Sequence, residues 1–226
     1  MLSNWKQTLL GYAQRQHLRG LALAVFWVAL GALLWWSIWL KANTPVQPTP
    51  EDTLPPQEMT ETISGPIAST SEPLLLRIPA LNVVARFETP LGLQENGSIG
   101  VPYAYDTVGW YKHSPTPGEL GPSIVLGHVD SYEGPAVFFS LGQLEEGDTI
   151  EIDRADGSTV VFSVVGYERV EQNAFPTERV YGDLKYAGIR LITCSGTYDK
   201  QTLRYDRNLI VYGRLSEVRE LEKIAE

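Results

Sequence analysis

The chain has 226 residues, of which 43% are hydrophobic and 20% charged, enough for one folded domain with flanking segments. Its formal net charge of −9 excludes the basic face that a nucleic-acid partner requires. The single cysteine, Cys194, excludes an intrachain disulfide and a zinc site built on several thiolates.

Residues 1–20 form an N-terminal segment that carries Lys6, Arg15, His17 and Arg19. Residues 21–40, LALAVFWVALGALLWWSIWL, hold no charge. As a helix, about 20 such residues cross about 30 Å of hydrocarbon. Trp35, Trp36 and Trp39 cluster near one end, as aromatic rings do at a membrane interface. The basic flank sets the N-terminus on the cytoplasmic side and everything after Leu40 outside. A cleaved signal peptide is the alternative, but its apolar region is usually shorter, and no small-x-small site follows Leu40. Residues 41–73 are rich in Pro, Thr, Ser and Glu, a composition that buries little and behaves as a stiffened spacer.

From 74 to 215 the texture is β. LLLRIP, NVVARFE, PSIVLGHV, TIEID, TVVFSVVGYERV, IRLITC and NLIVYGRL read as strands separated by turn signals. Asp156-Gly157 marks a hairpin, because both residues tolerate positive φ. Short helices are expected at Gly134–Leu141 and near Val180–Tyr186. Many short strands without alternating long helices predict a mainly β fold, a barrel or a sandwich, and not a doubly wound sheet. The charged tail, 216–226, is expected to form a short solvated helix from Glu217.

Three residues in this domain could carry chemistry. Cys194 ends the apolar run Arg190-Leu-Ile-Thr-Cys and precedes Ser195-Gly196, so it reaches a loop edge. A lone cysteine is more often a small buried apolar residue, and the local sequence must decide. His128, in Gly127-His128-Val129-Asp130, also follows an apolar run. A histidine beside a thiol can hold the thiolate or protonate a leaving amine. His113 sits in a Pro-rich segment and reads as an exposed loop residue. Arg207, at the start of the last strand, could stabilise a tetrahedral oxyanion. An isolated arginine is otherwise a surface charge paired with an acid, here Asp206 or Asp199.

The joint pattern GHVD … LITCSG … YDRNLIVYG resembles the sortases. RIPALNVVARFETPLGL, GW…PGELGPSIVLGH and FFSLGQLEEGDTIEI extend the likeness across residues 74–215. The resemblance implies a closed β-barrel of about eight strands with short helices, preceded by one transmembrane helix. It implies a cysteine transpeptidase that cleaves a Leu-Pro-x-Thr-Gly-like sorting signal through a thioacyl intermediate. Cys194 would be the nucleophile, His128 the general acid and base, and Arg207 the carbonyl or oxyanion ligand. The resting thiol and imidazole would be largely neutral. Thr193 would add a hydrogen bond, and Phe175, Pro176 and Val180, within the loop 170–185, would line a groove for the Leu-Pro part. That loop can equally be a plain surface loop.

Partners would be surface proteins bearing the signal and an amine of peptidoglycan or pilin. No cofactor or metal is implied; Glu145, Glu146 and Asp148 form no calcium-ligand pattern. The likeness is nearest class F or a neighbouring class, whose Tyr-Arg-Asp-Asn order differs from Tyr205-Asp206-Arg207-Asn208. Arg204 is therefore the rival of Arg207. The competing functions are a cysteine hydrolase of the same fold and a non-catalytic wall-binding domain.

Overall fold

The computed structural model describes residues 64–220. Chain contacts separate residues 1–47 from 48–226, and the described residues all belong to the second unit. The charge-free run 21–40 lies outside them. Among the described residues no helix is long and apolar enough to cross a membrane.

Ten strands follow in chain order: β1 (Pro73–Ile78), β2 (Val83–Arg86), β3 (Val108–Trp110), β4 (Gly121–Gly127), β5 (Asp130–Ser131), β6 (Gly134–Pro135), β7 (Thr149–Arg154), β8 (Thr159–Glu171), β9 (Ala187–Asp199) and β10 (Arg204–Arg219). Eight of them make one sheet in the order β2-β1-β7-β8-β10-β9-β4-β3. Past β2 the chain reaches back to the far edge. Glu88 N–H donates to the Val108 carbonyl at 2.9 Å and Leu91 N–H to that of Trp110 at 2.8 Å, which nearly closes the barrel. Closure removes the unpaired edges that an open sheet exposes.

Alternation fills the interior. β7 reads half-buried, buried in strict succession, and places Ile150 and Ile152 inside beside Phe162 and Val164 of β8. A second, smaller cluster covers the outer face of β9 and β10: Ile192, Ile210 and Tyr212 pack under Val180. At Asp156-Gly157 the β7–β8 hairpin turns with Gly157 at φ 85°, as its composition requires.

Four expectations are corrected. Gly134–Leu141 is no helix: Gly134–Pro135 pairs with β5, and the chain then turns so that Phe138 and Leu141 enter the core, with one 3₁₀ turn at Leu141–Gln143. The helix α1 spans Thr177–Tyr181 rather than 180–186, because the Pro176 carbonyl accepts Val180 N–H at its start and it closes at Gly182. β10 runs on to Arg219 through pairing with Val160 and Thr159, so no helix begins at Glu217. Residues 64–73 are docked and not a free spacer: Ala68 N–H donates to the Gly118 carbonyl, and Arg154, 3% exposed, donates to that of Ser69.

Candidate active site

β4 and β9 run parallel near the β3 end of the sheet, paired from Gly121↔Ala187 to Leu126↔Ile192. Two further steps of that register correspond to His128 and Cys194. β4 ends at Gly127, so His128 leaves the ladder at the rim, while β9 continues. Sequence positions 66 apart are thereby delivered to the same end of the same strand pair.

Alternation on β9 sends Ile189 and Leu191 into the barrel and Ile192 to the outer face. Cys194 shares the face of Ile192 and is half-buried. Across the ladder it faces Asn208 of β10. Thr193 alternates to the barrel side, 4% exposed, opposite Leu209. The expected hydrogen bond from Thr193 into the thiol's pocket has no geometric support.

After Ser195, which pairs with Arg207, the chain bulges at Gly196-Thr197 within a long ribbon and does not end the strand. Pairing resumes at Tyr198↔Tyr205 and Asp199↔Arg204. Gly196 has φ 86°, and a Cβ there would collide with the Asp206 carboxylate, which accepts Thr197 N–H at 2.7 Å.

A groove of about 1080 Å³ runs along this face. Ile124, Leu126 and Ile192 line its length, Phe175 and Tyr181 form one wall, and Cys194, Arg204, Tyr205 and Asn208 stand at one end. Phe175 is stacked on Tyr181 with centroids 5.8 Å apart. Val180 is fully buried and seats α1 on the sheet, and Pro176 starts that helix; neither lines the groove. Arg207 pairs with Ser195, one step along from the thiol, but it is exposed and not among the lining residues. Arg204 is. His113 is exposed, lies against the Tyr111 ring and also borders the groove.

The imidazole of His128 is braced from one side. Its Nε2 donates to the Pro102 carbonyl at 2.8 Å, and the Tyr105 ring lies 4.8 Å away, tilted by 58°. With Nε2 donating, neutral His128 offers Nδ1 as the basic nitrogen. Glu88, held by Thr107 and the backbone N–H groups of Tyr103 and Ala104, lies close enough to feel the charge of His128.

Burial pushes the Cys194 thiol up, and the Asp130 carboxylate adds to the shift. Both effects favour the neutral thiol at Cys194. The residues that sequence reasoning passed over are Asn208, Tyr205, Tyr105 and Asp130. Asp130 stood inside the GHVD motif without a role, and only the fold brings it to Tyr205.

A family profile described as Sortase domain matches residues 76–216. The chain belongs to the sortase family. The barrel is similar to that of sortase A from Listeria monocytogenes at TM-score 0.51 and 16% identity, over 69% of this chain and 93% of that one. It is similar to sortase C-1 from Actinomyces oris at TM-score 0.50 and 19% identity, over 63% and 73%. Sortase A from Corynebacterium diphtheriae gives TM-score 0.51 and 19% identity, over 70% and 65%. Identities this low speak for a shared fold alone. No curated protein matches the sequence. As a sortase, the chain is a cysteine transpeptidase, and the half-buried thiol at the head of the groove is consistent with that chemistry.

Proposed function

We propose that this sortase is membrane-anchored by residues 21–40, works on the outer face, and joins proteins bearing a Leu-Pro-x-Thr-Gly-like signal to an amine of cell wall or pilin. The observation that carries the reading is the apolar groove that ends at Cys194. An extended peptide laid along it presents its Leu-Pro part to Phe175 and its scissile carbonyl to the thiol.

In the first half-reaction His128 takes the Cys194 proton, and the thiolate attacks the Thr–Gly carbonyl to give a tetrahedral oxyanion. The C–N bond breaks, His128 gives its proton to the leaving amine, and a thioester remains. In the second, His128 takes a proton from the incoming amine, which displaces the thiolate. Water competes with that amine, so a positioned acceptor decides between transfer and hydrolysis.

For the guanidinium that meets the developing oxyanion, the family resemblance favours Arg207 and the groove lining favours Arg204. Single alanine variants decide. A loss of roughly 10²-fold in kcat from Arg204→Ala, with Arg207→Ala close to the parent, follows from the lining. The reverse ranking returns the role to Arg207. By overall resemblance the class is F or a neighbouring one, with the Tyr205-Asp206-Arg207-Asn208 order as the departure.

The test is incubation of the full chain with a Leu-Pro-x-Thr-Gly peptide library and triglycine, with products read by mass spectrometry. A transpeptidation product that Cys194→Ala no longer forms supports the assignment. Hydrolysis alone moves the reading to the cysteine hydrolase. Turnover retained in Cys194→Ala ends the thiol mechanism. Protease accessibility in intact cells tests the anchor.

A further inference from the structure

The loop that carries His128 and the ribbon that carries Cys194 come from distant parts of the chain, and a side-chain bond joins them. Tyr205 Oη donates to the Asp130 carboxylate across 75 positions. Asp130 lies two residues past His128 and begins the small β5–β6 hairpin. Tyr205 sits at the bulge of β10, lines the groove with Cys194 and packs on the Tyr198 ring at 5.2 Å.

Backbone pairing does not fix His128 against the thiol, because β4 leaves the ladder at Gly127. The other hydrogen bonds of the loop run elsewhere. His128 Nε2 goes to Pro102, the His128 carbonyl accepts Phe138 N–H at 2.9 Å, and the Val129 carbonyl accepts Ala136 N–H at 3.1 Å. Among the described residues, the Asp130–Tyr205 bond is the hydrogen bond that carries this loop to β10.

Resting on the assignment of Cys194 and His128 above, we propose that Asp130 and Tyr205 are positioning residues: their bond latches the His128 loop to the Cys194 ribbon and so sets the approach of imidazole to thiol. Burial and the carboxylate push the Tyr205 phenol well above the ordinary tyrosine range, so the donor is present at any working pH. The same carboxylate bears on the Cys194 thiol. The other charged groups at this end are His128 on the loop, Arg204, Asp206 and Arg207 on β10 and Asp199 on β9, with Glu88 behind the imidazole.

Two variants separate the hydrogen bond from the charge. Tyr205→Phe removes the bond and keeps the carboxylate. Asp130→Asn keeps an acceptor for the hydroxyl and removes the charge. Both are made in the full chain and read by steady-state transpeptidation and by the pH profile of Cys194 alkylation with iodoacetamide.

Tyr205→Phe is expected to lower kcat roughly 10- to 100-fold with KM held within about twofold, as a misaligned acid–base pair does. Asp130→Asn is expected to lose less and to shift the alkylation profile to lower pH, because a negative neighbour of the thiolate is gone. A purely structural role would lower the melting temperature and leave the alkylation profile in place. The latch is overturned by a Tyr205→Phe kcat within about twofold of the parent, or by an alkylation profile that Tyr205→Phe leaves unmoved. Alkylation needs no peptide. A parent chain inactive on every peptide therefore counts against the transpeptidase reading, while an unmoved profile counts against the latch.

Discussion

The two sides of the groove are held in opposite ways. The α1 side is built into the core. Val180 is fully buried, and Glu168 of β8, 4% exposed, accepts two hydrogen bonds from Arg179 of α1 at 2.8 Å each. The Tyr212 hydroxyl also donates to Glu168, and buried Arg190 lies over the Tyr212 ring at 4.6 Å. The side that carries Cys194 and His128 hangs on the rim. Its ribbon is exposed, and Tyr103 and Tyr132, 95% and 87% exposed, flank the His128 loop. The surface that shapes the groove thus shares the stability of the fold, while the rim that carries Cys194 and His128 can shift without unfolding the barrel.

Breaking the buried side should have the largest effect. Glu168→Ala leaves Arg179 and Tyr212 without their shared acceptor and removes the negative charge that acts on buried Arg190, and removing one partner of a buried charge network costs about 3 kcal/mol. At roughly 2–4 °C per kcal/mol for a domain of this size, the melting temperature should fall by roughly 6–12 °C. KM should rise more than kcat falls, because Phe175 and Tyr181 lose their seat. An unchanged melt would mean that α1 is not part of the core.

The ribbon should respond the other way. Gly196→Ala forces a side chain into the left-handed region against Asp206, a strain of about 1–2 kcal/mol. An exposed ribbon relieves it by shifting the bulge, which displaces Cys194 from His128. The expected outcome is a kcat loss of roughly tenfold with a smaller drop in melting temperature than Glu168→Ala gives. A large melt shift with kcat intact would reverse the comparison.

Much of this division was legible in the sequence. The strands were readable because β7, β8 and the apolar halves of β9 and β10 alternate or run apolar, and burial leaves that mark on composition. Cys194 and His128 stood out through local motifs, and the β4–β9 register brings both to the same rim. The bulge at Gly196 was misread as a strand end, because a Ser-Gly pair serves turns and bulges alike. The segment after Gly134 was misread as a helix, because PAVFF is apolar enough for one while Phe138 is held by tertiary contacts. The Glu168 network was invisible, since it joins three separate strands and a helix whose charges carry no spacing signal. Which arginine lines the groove depends on that same bulge.

A third measurement sharpens the contrast at the thiol. Burial first and Asp130 second raise Cys194, so the neutral form is favoured in the folded state. The alkylation rate should climb at a pH above the ordinary cysteine value of about 8.5. The stability that the neutral thiol contributes is present below that value and is lost as pH rises toward the folded-state pKa. Melting curves of the parent and Cys194→Ala should diverge less as pH increases. An alkylation midpoint near neutrality would mean that His128 already holds a thiolate at rest.

The smallest effect tests whether charge matters for being charge or for being buried. Arg219, at the end of β10, contacts Glu151 at 3.0 Å and Glu217 at 2.9 Å, a pair of bridges with distances like those of Arg179 and Glu168. The difference is solvent: the Arg219 side chain is 48% exposed, against 6% for the Glu168 side chain. Water screens the outer bridges and already satisfies both partners when they part. Arg219→Ala should therefore leave the melting temperature within about 1–2 °C of the parent, and 0.5 M salt should erase what remains, as screening at about one Debye length requires. Glu168→Ala should keep most of its effect in the same salt. Equal losses from the two variants would assign the stability of the α1 side to ion pairing as such, and its burial against Val180 and Tyr212 would then explain nothing.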